Sequence, residues 1–291
     1  MTAGPVSVFG TTFQNPILLA AGTAGFGREL AGIVDLEALG GLVTKSVSPE
    51  PRIGNPPPRV AEFPGGMLNS VGLANPGLDA VERVELPWLE TRVHRARVLL
   101  SVVGNTVDDY VTVVRRLTNR PVITAFELNL SCPNTAQGGE HFGANDRVMA
   151  DLVARCRTVA SRALIVKLAP TLADIARSAC VAQQAGADGF SLVNTMPGML
   201  FRDADWGAAP ASRLGAGNGG VSGPPLLPVG ILATRRVREA TGLPVIGVGG
   251  VRSVDDVRAY LAAGAALVGV GTAALAEPRL PERLARSLAD G

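Results

Sequence analysis

The stretch ITAFELNLSC at residues 123–132 is a mostly apolar run that ends in polar residues, as expected of a strand buried on both faces. Segments with helical spacing follow such runs, for example Val107, Val111, Val114 and Leu117. Eight strand–helix units predict an α/β fold, a single (β/α)8 TIM barrel with parallel strands, over a doubly wound open sheet. The other seven runs are PILLAAG (16–22), GLVTKS (41–46), RVLLSVVG (97–104), ALIVKLAP (163–170), GFSLVNT (189–195), PVIGVGG (244–250) and ALVGVGT (266–272).

Composition limits the classes of protein to consider. With 291 residues, 47% hydrophobic and 18% charged, the chain has the size of one barrel domain, here residues 1–291. A net charge of +2 and 4% aromatic residues argue against a nucleic-acid surface. The sequence shows neither a leader pattern nor a membrane-length apolar run, so we expect a cytoplasmic protein.

Two long irregular stretches, roughly 47–76 and 196–227, interrupt the regular alternation. Both follow the carboxyl end of a predicted strand, where barrels build their active sites, so we interpret them as active-site loop insertions. The polar-alternating stretch before residue 16 is expected to form an N-terminal hairpin.

The polar residues that end the apolar runs should converge at one rim of the barrel. They are rich in amides and lysines and offer no carboxylate pair, and neither His94 nor His141 ends a run, so hydrolase and metal chemistry are disfavoured. A flat, amide-bearing anion would suit such a site. The set is Lys45, Ser46, Ser101, Asn129, Ser131, Cys132, Asn134, Lys167, Asn194 and Thr195, with Asn69 from the first long loop.

Glycine pairs end the last two runs, as GVGG up to Gly250 and GVGT up to Thr272. Barrels commonly bind phosphate at this position through backbone N–H groups, and glycine permits the close approach. We therefore expect a phosphate group of a ligand at Gly249, Gly250, Gly271 and Thr272.

The three cysteines form no CxxC pair, so an iron–sulfur cluster would have to sit on another chain. Cys156 and Cys180 fall in helical patterns and are interpreted as packing residues. Cys132 ends a strand within NLSCPN, where a thiol acting as base needs positive charge nearby or alkaline pH.

These residues resemble the class 1 dihydroorotate dehydrogenases over nearly the whole chain. The resemblance rests on an ordered series of motifs, and GGEHFG after SCPN is most similar to the catalytic subunit of the NAD-linked, heteromeric branch. The series is VTKS, GNPPPR, GMLNSVGLANPG, ELNLSCPN, VKLAP, LVNTMPGM, GGVSGP, IGVGG and GVGT.

The resemblance implies FMN-dependent oxidation of dihydroorotate to orotate in pyrimidine (UMP) biosynthesis. Cys132 would take the C5 proton while C6 gives hydride to flavin N5, under a covering loop at 136–142. It implies FMN contacts at Ala21, Lys45, Ser46, Ser101, Asn129, Lys167, Val193, Gly223, Gly249, Gly250, Gly271 and Thr272. The implied substrate contacts are Lys45, Asn69, Ser70, Val71, Gly72, Leu73, Asn129, Asn134, Asn194 and Thr195.

The chain departs from the family pattern at Ala21, where relatives carry serine, and at Ser101, where they carry asparagine. Each change removes or shortens a hydrogen bond to flavin, worth ~0.5–1.5 kcal/mol, so we expect weaker FMN retention. An insertion around Trp206 (202–220) has no assigned role.

The partners implied are an FAD and iron–sulfur electron-transfer subunit and a second copy in a homodimer core, with no nucleic acid and no membrane. The electron acceptor stays open among NAD through a partner, fumarate and a quinone. Two other functions also stay open: a related flavin-dependent dihydropyrimidine dehydrogenase, and a catalytically silent paralogue acting as a binding subunit.

Overall fold

The computed structural model describes residues 4–130, 142–202 and 211–290. Eight strands close into a parallel barrel in the order β3-β4-β7-β8-β9-β10-β13-β14, with β14 paired to β3. Each of the eight apolar runs contains one barrel strand, so the predicted barrel is confirmed and the open sheet is excluded. Numbered in chain order, the strands are β1 (Val6–Val8), β2 (Thr11–Phe13), β3 (Ile17–Leu19), β4 (Gly41–Val43), β5 (Val60–Phe63), β6 (Gly66–Asn69), β7 (Arg97–Val102), β8 (Ile123–Asn129), β9 (Ala163–Leu168), β10 (Gly189–Leu192), β11 (Met196–Gly198), β12 (Gly219–Ser222), β13 (Val245–Val248) and β14 (Leu267–Val270).

Helices connect the barrel strands around the outside. A π-helical turn, Val81–Glu85, joins the first two helices into one continuous element after β4. The unit after β3 departs from the ideal pattern, because residues 20–40 contain only the 3-10 turns Arg28–Leu30 and Leu36–Ala38. The helices are α1 (Leu78–Ala80), α2 (Leu86–Arg92), α3 (Val107–Leu117), α4 (Asp146–Arg157), α5 (Ile175–Gln184), α6 (Leu227–Thr241), α7 (Val254–Ala262), α8 (Thr272–Ala276) and α9 (Leu280–Asp290), with further 3-10 turns at Phe142–Ala144 and Pro224–Leu226.

Local sequence signals fix where several helices begin. Before α3, the Thr106 side chain accepts from the Asp109 N–H, and the Asp109 carboxylate accepts from the Thr106 N–H. Ser253 and Asp256 form the same reciprocal pair before α7. Such caps satisfy N–H groups that have no partner within the helix, so each helix starts at a defined distance from the strand before it.

Side chains alternate between two apolar regions along each barrel strand. On β9, Leu164, Val166 and Leu168 pack in the large cluster between barrel and helices, whereas Ile165 packs in the smaller cluster inside the barrel. Because successive strand residues point to opposite faces, Lys167 lies on the same inner face as Ile165. The same alternation places one residue in two inside the barrel on every strand.

The expected N-terminal hairpin is present as β1 paired antiparallel with β2. Phe13 is fully buried in the interior cluster, and Val6, Val8 and Phe9 pack against that cluster. The hairpin therefore covers the amino-terminal end of the barrel, opposite the rim where the strands end.

The two long stretches are not irregular, which corrects the sequence-based expectation. They form an antiparallel sheet in the order β11-β12-β6-β5. Two strands come from each stretch, and β6 pairs with β12 across about half the chain, as Asn69 opposite Gly220. Because the paired segments are short and far apart in the sequence, neither segment shows a recognisable strand periodicity on its own. This rim sheet, β5, β6, β11 and β12, stands above the carboxyl ends of the barrel strands.

The described flanks of the 202–220 insertion attach to the rim sheet. Arg202 N–H donates to the Ala211 carbonyl (2.8 Å), and Gly215 N–H donates to the Pro58 carbonyl (2.9 Å). Trp206 lies outside the described residues. No helix in the described part of the chain is long and apolar enough to span a membrane.

Candidate active site

A chain of hydrogen bonds joins the carboxyl ends of four barrel strands. Ser46, after β4, lies 2.8 Å from Ser101 of β7, oxygen to oxygen. The Asn129 amide donates to Ser46 Oγ (3.4 Å) and its oxygen accepts from the Asn194 amide (3.2 Å). Asn194 Oδ1 in turn accepts from the Thr195 N–H (2.8 Å). Residues far apart in sequence thus share one polar layer at the rim, as the strand-end pattern predicts.

The rim sheet brings Asn69 to this layer. Asn69 donates to the Gly220 carbonyl across the β6–β12 pair (3.1 Å). A Cβ atom at Gly220 would lie 2.0 Å from Thr195 Oγ1, so only glycine allows β12 to lie this close to Thr195. Asn69 is therefore linked to the barrel rim through β12.

The segment after Asn69 is shaped by backbone contacts rather than by packing. Asn55 donates from its side chain to Ser70 Oγ (2.8 Å) and from its N–H to the Val71 carbonyl (3.1 Å). Gly72 and Leu73 both have positive φ, 70° and 56°, which is uncommon for a leucine. This turn presents successive peptide groups beside the rim.

Two lysines lie on the inner face of the barrel, in different surroundings. Lys45 is half-buried, and no described carboxylate lies within ion-pair distance of its ammonium. Lys167 is buried, and its Nζ lies 3.4 Å from Glu127 Oε1. Lys45 is therefore the cation better placed to meet an anionic ligand directly.

Glycines at the end of β13 lie against the start of α6. Gly249 and Gly250 have φ of 128° and 74°, and a Cβ at Gly250 would lie 2.7 Å from the Leu227 nitrogen. Tyr260 donates to the Gly249 carbonyl (2.8 Å) and fixes that peptide. The backbone here approaches a helix N-terminus closely, which is the usual geometry for binding phosphate.

The rim sheet contributes to the same place. Thr272, at the start of α8 after Gly271, lies 2.8 Å from Ser222 at the end of β12, oxygen to oxygen. Gly223 has φ of 92°, and a Cβ there would lie 3.7 Å from Thr272 Cγ2. Gly223, an expected FMN contact, therefore lies beside Thr272, one of the expected phosphate residues.

The remaining predicted contacts are more peripheral. Val193 is buried and donates its N–H to the Val248 carbonyl (2.8 Å), which ties the end of β10 to β13. Ala21 is half-buried and packs against the interior cluster. Its methyl group offers no hydrogen bond.

Ser131, Cys132, Asn134 and most of the predicted covering loop at 136–142 lie outside the described residues. The other two cysteines behave as packing residues. Cys156 is fully buried, and its burial raises the pKa of the thiol to about 12. Cys180 is half-buried, with Sγ 3.8 Å from the Ala240 carbonyl.

Three residues beside or below the polar layer were missed in the sequence. Glu127 stands inside an apolar run, so it was not counted among strand-end residues, although a period of two from Asn129 would have placed it on the inner face. Tyr110 of α3 donates to the Asn129 carbonyl (2.8 Å), and nothing in the sequence signals this contact. Ser191 is fully buried on the inner face of β10, and its hydroxyl has no partner among the described residues.

A profile of the family described as dihydroorotate dehydrogenase matches residues 5–290. The chain is similar to the protein named "Dihydroorotate dehydrogenase B (NAD(+)), catalytic subunit" of Bacillus cereus (strain G9842), with 43% identity over 94% of this chain and 86% of that protein. The protein of the same name from Geobacillus kaustophilus (strain HTA426) is 43% identical over 94% of this chain and 85% of its own length.

Proposed function

The chain belongs to the dihydroorotate dehydrogenase family, and from that premise we propose that it uses FMN, with Cys132 as general base and a partner subunit as its route to NAD. Family membership makes it an oxidoreductase that converts dihydroorotate to orotate, a CH–CH oxidation in pyrimidine biosynthesis. The single observation that carries the finer proposal is the hydrogen-bonded layer of Ser46, Ser101, Asn129 and Asn194 beside two lysines.

The arrangement of glycines supports FMN as the form of flavin. Gly223 lies beside Thr272, which follows Gly271, while Gly249 and Gly250 lie against the start of α6, where a Cβ on Gly250 would collide with Leu227. One terminal phosphate monoester suits a pocket of backbone N–H groups. Across the barrel mouth the isoalloxazine ring would meet Lys45, Ser46, Ser101, Asn129, Lys167, Val193 and Ala21.

Dihydroorotate is a flat ring with two amide edges and one carboxylate. Side-chain amides supply both donors and acceptors to such edges, and Asn69, Asn129 and Asn194 lie around one opening. Lys45 supplies the positive charge that the carboxylate requires. The other proposed substrate contacts are Ser70, Val71, Gly72, Leu73, Asn134 and Thr195.

The reaction removes one proton and one hydride from the substrate. We assign the proton at C5 to the Cys132 thiolate, which becomes a thiol, while the C5–C6 double bond forms. The flavin, when bound, supplies the hydride acceptor for C6. Cys132 follows the rim end of β8 by three residues in the sequence, and positive charge beside it would favour a thiolate. Asn129, held by Tyr110 and Asn194, orients the ring for both transfers.

A partner subunit is required by the NAD-linked form of this enzyme. The chain has three cysteines, of which Cys156 is fully buried, so it lacks ligands for an iron–sulfur cluster of its own. We propose that an FAD and iron–sulfur subunit receives the electrons and passes them to NAD, and that the barrel chain forms the homodimeric core of the complex.

Anaerobic flavin bleaching tests the proposal directly. The FMN-loaded chain should lose its visible flavin band when dihydroorotate is added. Cys132→Ser should bleach at least about a hundredfold more slowly at neutral pH, the usual size of a general-base contribution. Cys180→Ser is the matched control, because Cys180 is half-buried on α5 and away from the rim, and it should bleach at the wild-type rate.

The outcomes separate the parts of the proposal. A chain that binds FMN but is not bleached by dihydroorotate loses its substrate assignment. Equal rates in wild type and Cys132→Ser remove the role of the base. Reduction of NAD by the barrel chain alone, with no partner added, contradicts the electron-transfer subunit.

A further inference from the structure

Glu127 is a buried acid below the rim that the proposed chemistry does not use. It lies on β8, and its side chain is 1% exposed. Its neighbours Phe126 and Leu128 pack in the outer cluster, so the Glu127 carboxylate points into the barrel. There it lies 3.4 Å from the ammonium group of Lys167.

Register places the two charges at different heights. On the β8–β9 pair, Asn129 is opposite Lys167, at the level of the rim, whereas Glu127 is opposite Ile165, one layer lower. Ile165 belongs to the apolar interior cluster. Glu127 therefore lies below the rim and contacts the Lys167 side chain, which reaches the level of the rim.

Stability alone does not account for this pair. Taking two charges out of water is costly, and apolar residues of similar volume are often as good or better for folding. The nearest inner-face neighbours on these strands carry no charge: Ala125 and Ile165 lie two residues before Glu127 and Lys167, and Ser191 is opposite Lys167 on β10. A buried carboxylate kept beside a rim lysine points to a role in setting the charge of the site.

We propose that Glu127 is a positioning residue for the flavin, acting through Lys167. Its carboxylate holds the ammonium group and offsets part of its charge, so that the pair presents less positive charge to FMN than a lone lysine would. The inference rests on the proposed function only in that FMN occupies the barrel mouth. It predicts that removing the carboxylate makes the bound flavin more electrophilic.

Sulfite titration measures this property without substrate. Sulfite adds to flavin N5 and forms an anionic adduct, which positive charge near the flavin stabilises. Glu127→Gln keeps the shape of the side chain and removes the charge. The sulfite Kd should fall about tenfold, the effect of one uncompensated charge several ångströms away at an effective dielectric near 20. The midpoint potential of the flavin should become more positive.

Two matched variants separate charge from packing. Glu127→Asp keeps the charge and should stay within about threefold of the wild-type sulfite Kd. Ser191→Ala alters a buried, uncharged side chain opposite Lys167 on the neighbouring strand β10, and it should leave the sulfite Kd unchanged. A purely structural role for Glu127 would instead weaken FMN binding and lower the melting temperature of Glu127→Gln, without tightening sulfite.

A double variant keeps the test decisive if Glu127→Gln does not fold. Glu127→Leu with Lys167→Met replaces both charges by apolar groups of similar volume. It should fold and bind FMN, and its sulfite Kd should exceed that of wild type, because the ammonium group of Lys167 is removed and only that of Lys45 remains beside the flavin. A folded double variant with the wild-type sulfite Kd overturns the inference.

Failure of the inference differs from failure of the proposed function. A wild-type chain that binds FMN and is bleached by dihydroorotate, with the same sulfite Kd in Glu127→Gln, overturns the inference alone. A tighter sulfite complex in Glu127→Gln without any bleaching by dihydroorotate overturns only the substrate assignment. A wild-type chain that binds no FMN overturns both.

Discussion

The lower and upper halves of the barrel interior are built by the same strands and have opposite character. The lower half is apolar and contains Leu18, Val43, Leu99, Ile165 and Leu267. On three of these strands the inner-face residue two positions further along is polar: Lys45 after Val43, Ser101 after Leu99 and Lys167 after Ile165. A shift of two residues keeps a side chain on the same face, so each of these three strands contributes one residue to the core and the next to the polar layer.

This difference separates the residues that stabilise the fold from those that we propose bind ligands. Burial of apolar side chains supplies the free energy of folding in the lower half. In the upper half, burial of serine, asparagine and lysine is costly unless their hydrogen bonds are made, and the Ser46–Ser101–Asn129–Asn194 chain makes them. Substitutions in the lower half should mainly change the free energy of unfolding, and substitutions in the upper half should mainly change ligand binding.

The largest expected effect tests the lower half. Ile165→Ala removes a fully buried side chain from the interior cluster and should lower the free energy of unfolding by about 2–5 kcal/mol. Urea denaturation of the FMN-free protein measures it. At a temperature where the variant is folded, its FMN Kd should stay within about threefold of the wild-type value. A threefold change in Kd corresponds to less than about 1 kcal/mol of binding free energy.

Ile53→Ala is the matched control, because Ile53 is 89% exposed and should change stability by less than about 0.5 kcal/mol. If Ile165→Ala costs no more than Ile53→Ala, the lower half does not carry the stability of the barrel.

A substitution at the rim should have the reverse effect. Gly250→Ala brings a Cβ to 2.7 Å from the Leu227 nitrogen at a φ of 74° and should displace the backbone that we propose holds the FMN phosphate. Overpacking of this kind costs about 1–3 kcal/mol, which corresponds to a roughly ten- to hundredfold weaker FMN complex. Fluorescence titration of the FMN-free protein gives the Kd.

Gly242→Ala provides the comparison for Gly250→Ala. Gly242 has a similar φ of 67° at the end of α6, but a Cβ there meets open space. It should cost stability through backbone strain and leave the FMN Kd unchanged. An equal loss of FMN affinity in both variants would show that strain, and not the position at the rim, weakens binding.

The burial of Cys156 in the outer apolar cluster predicts how the stability of the chain depends on pH. The pKa of Cys156 is raised by burial to about 12 in the folded chain, from a model-peptide value of 9.0. Between these values the folded state keeps a proton that the unfolded state loses, so stability falls as pH rises. The expected slope is at most about 1.4 kcal/mol per pH unit above pH 9.

Urea denaturation at several pH values measures that slope, and Cys156→Ala should reduce it by the contribution of this thiol. Thiol labelling of the native protein at pH 8 gives a second readout. Cys156 should remain unmodified until the chain unfolds, and labelling of Cys156 at the rate of Cys180 would contradict its burial.

The smallest expected effect concerns one hydrogen bond of the rim. Ser101→Ala removes the partner of Ser46, at a cost of about 0.5–1.5 kcal/mol, and should weaken FMN binding by up to about tenfold. Ser191 is also fully buried, but its hydroxyl has no partner in the described part of the chain, so Ser191→Ala should change the FMN Kd by less than about twofold. Equal Kd values for the two variants would show that the Ser46–Ser101 contact does not support the flavin site.

The barrel could be predicted because each of its strands is recognisable from residues that are neighbours in the sequence. Each buried parallel strand is a short apolar run such as ALIVKLAP, and eight of them in order leave few alternatives. Convergence of Ser46, Asn129 and Asn194 was predictable for the same reason, since parallel strands end at one rim. The N-terminal hairpin also follows from neighbouring residues.

The rim sheet and the Glu127–Lys167 contact were not predictable in this way. Strands β6 and β12 pair across 151 residues, as Asn69 with Gly220, and neither has a distinctive pattern. Glu127 is a single charged residue within an apolar run, and its ion pair with Lys167 becomes visible from the three-dimensional structure. Pairings between distant segments depend on the closed barrel that brings them together.

The N-terminal hairpin that covers the lower end of the barrel has a kinetic consequence. With Phe13 buried in the floor, reactants exchange with solvent on the rim side. Orotate must leave by the mouth through which dihydroorotate enters, and the two cannot occupy it together. Orotate should therefore act as a competitive inhibitor against dihydroorotate. When product accumulates, release of orotate should limit the rate of turnover.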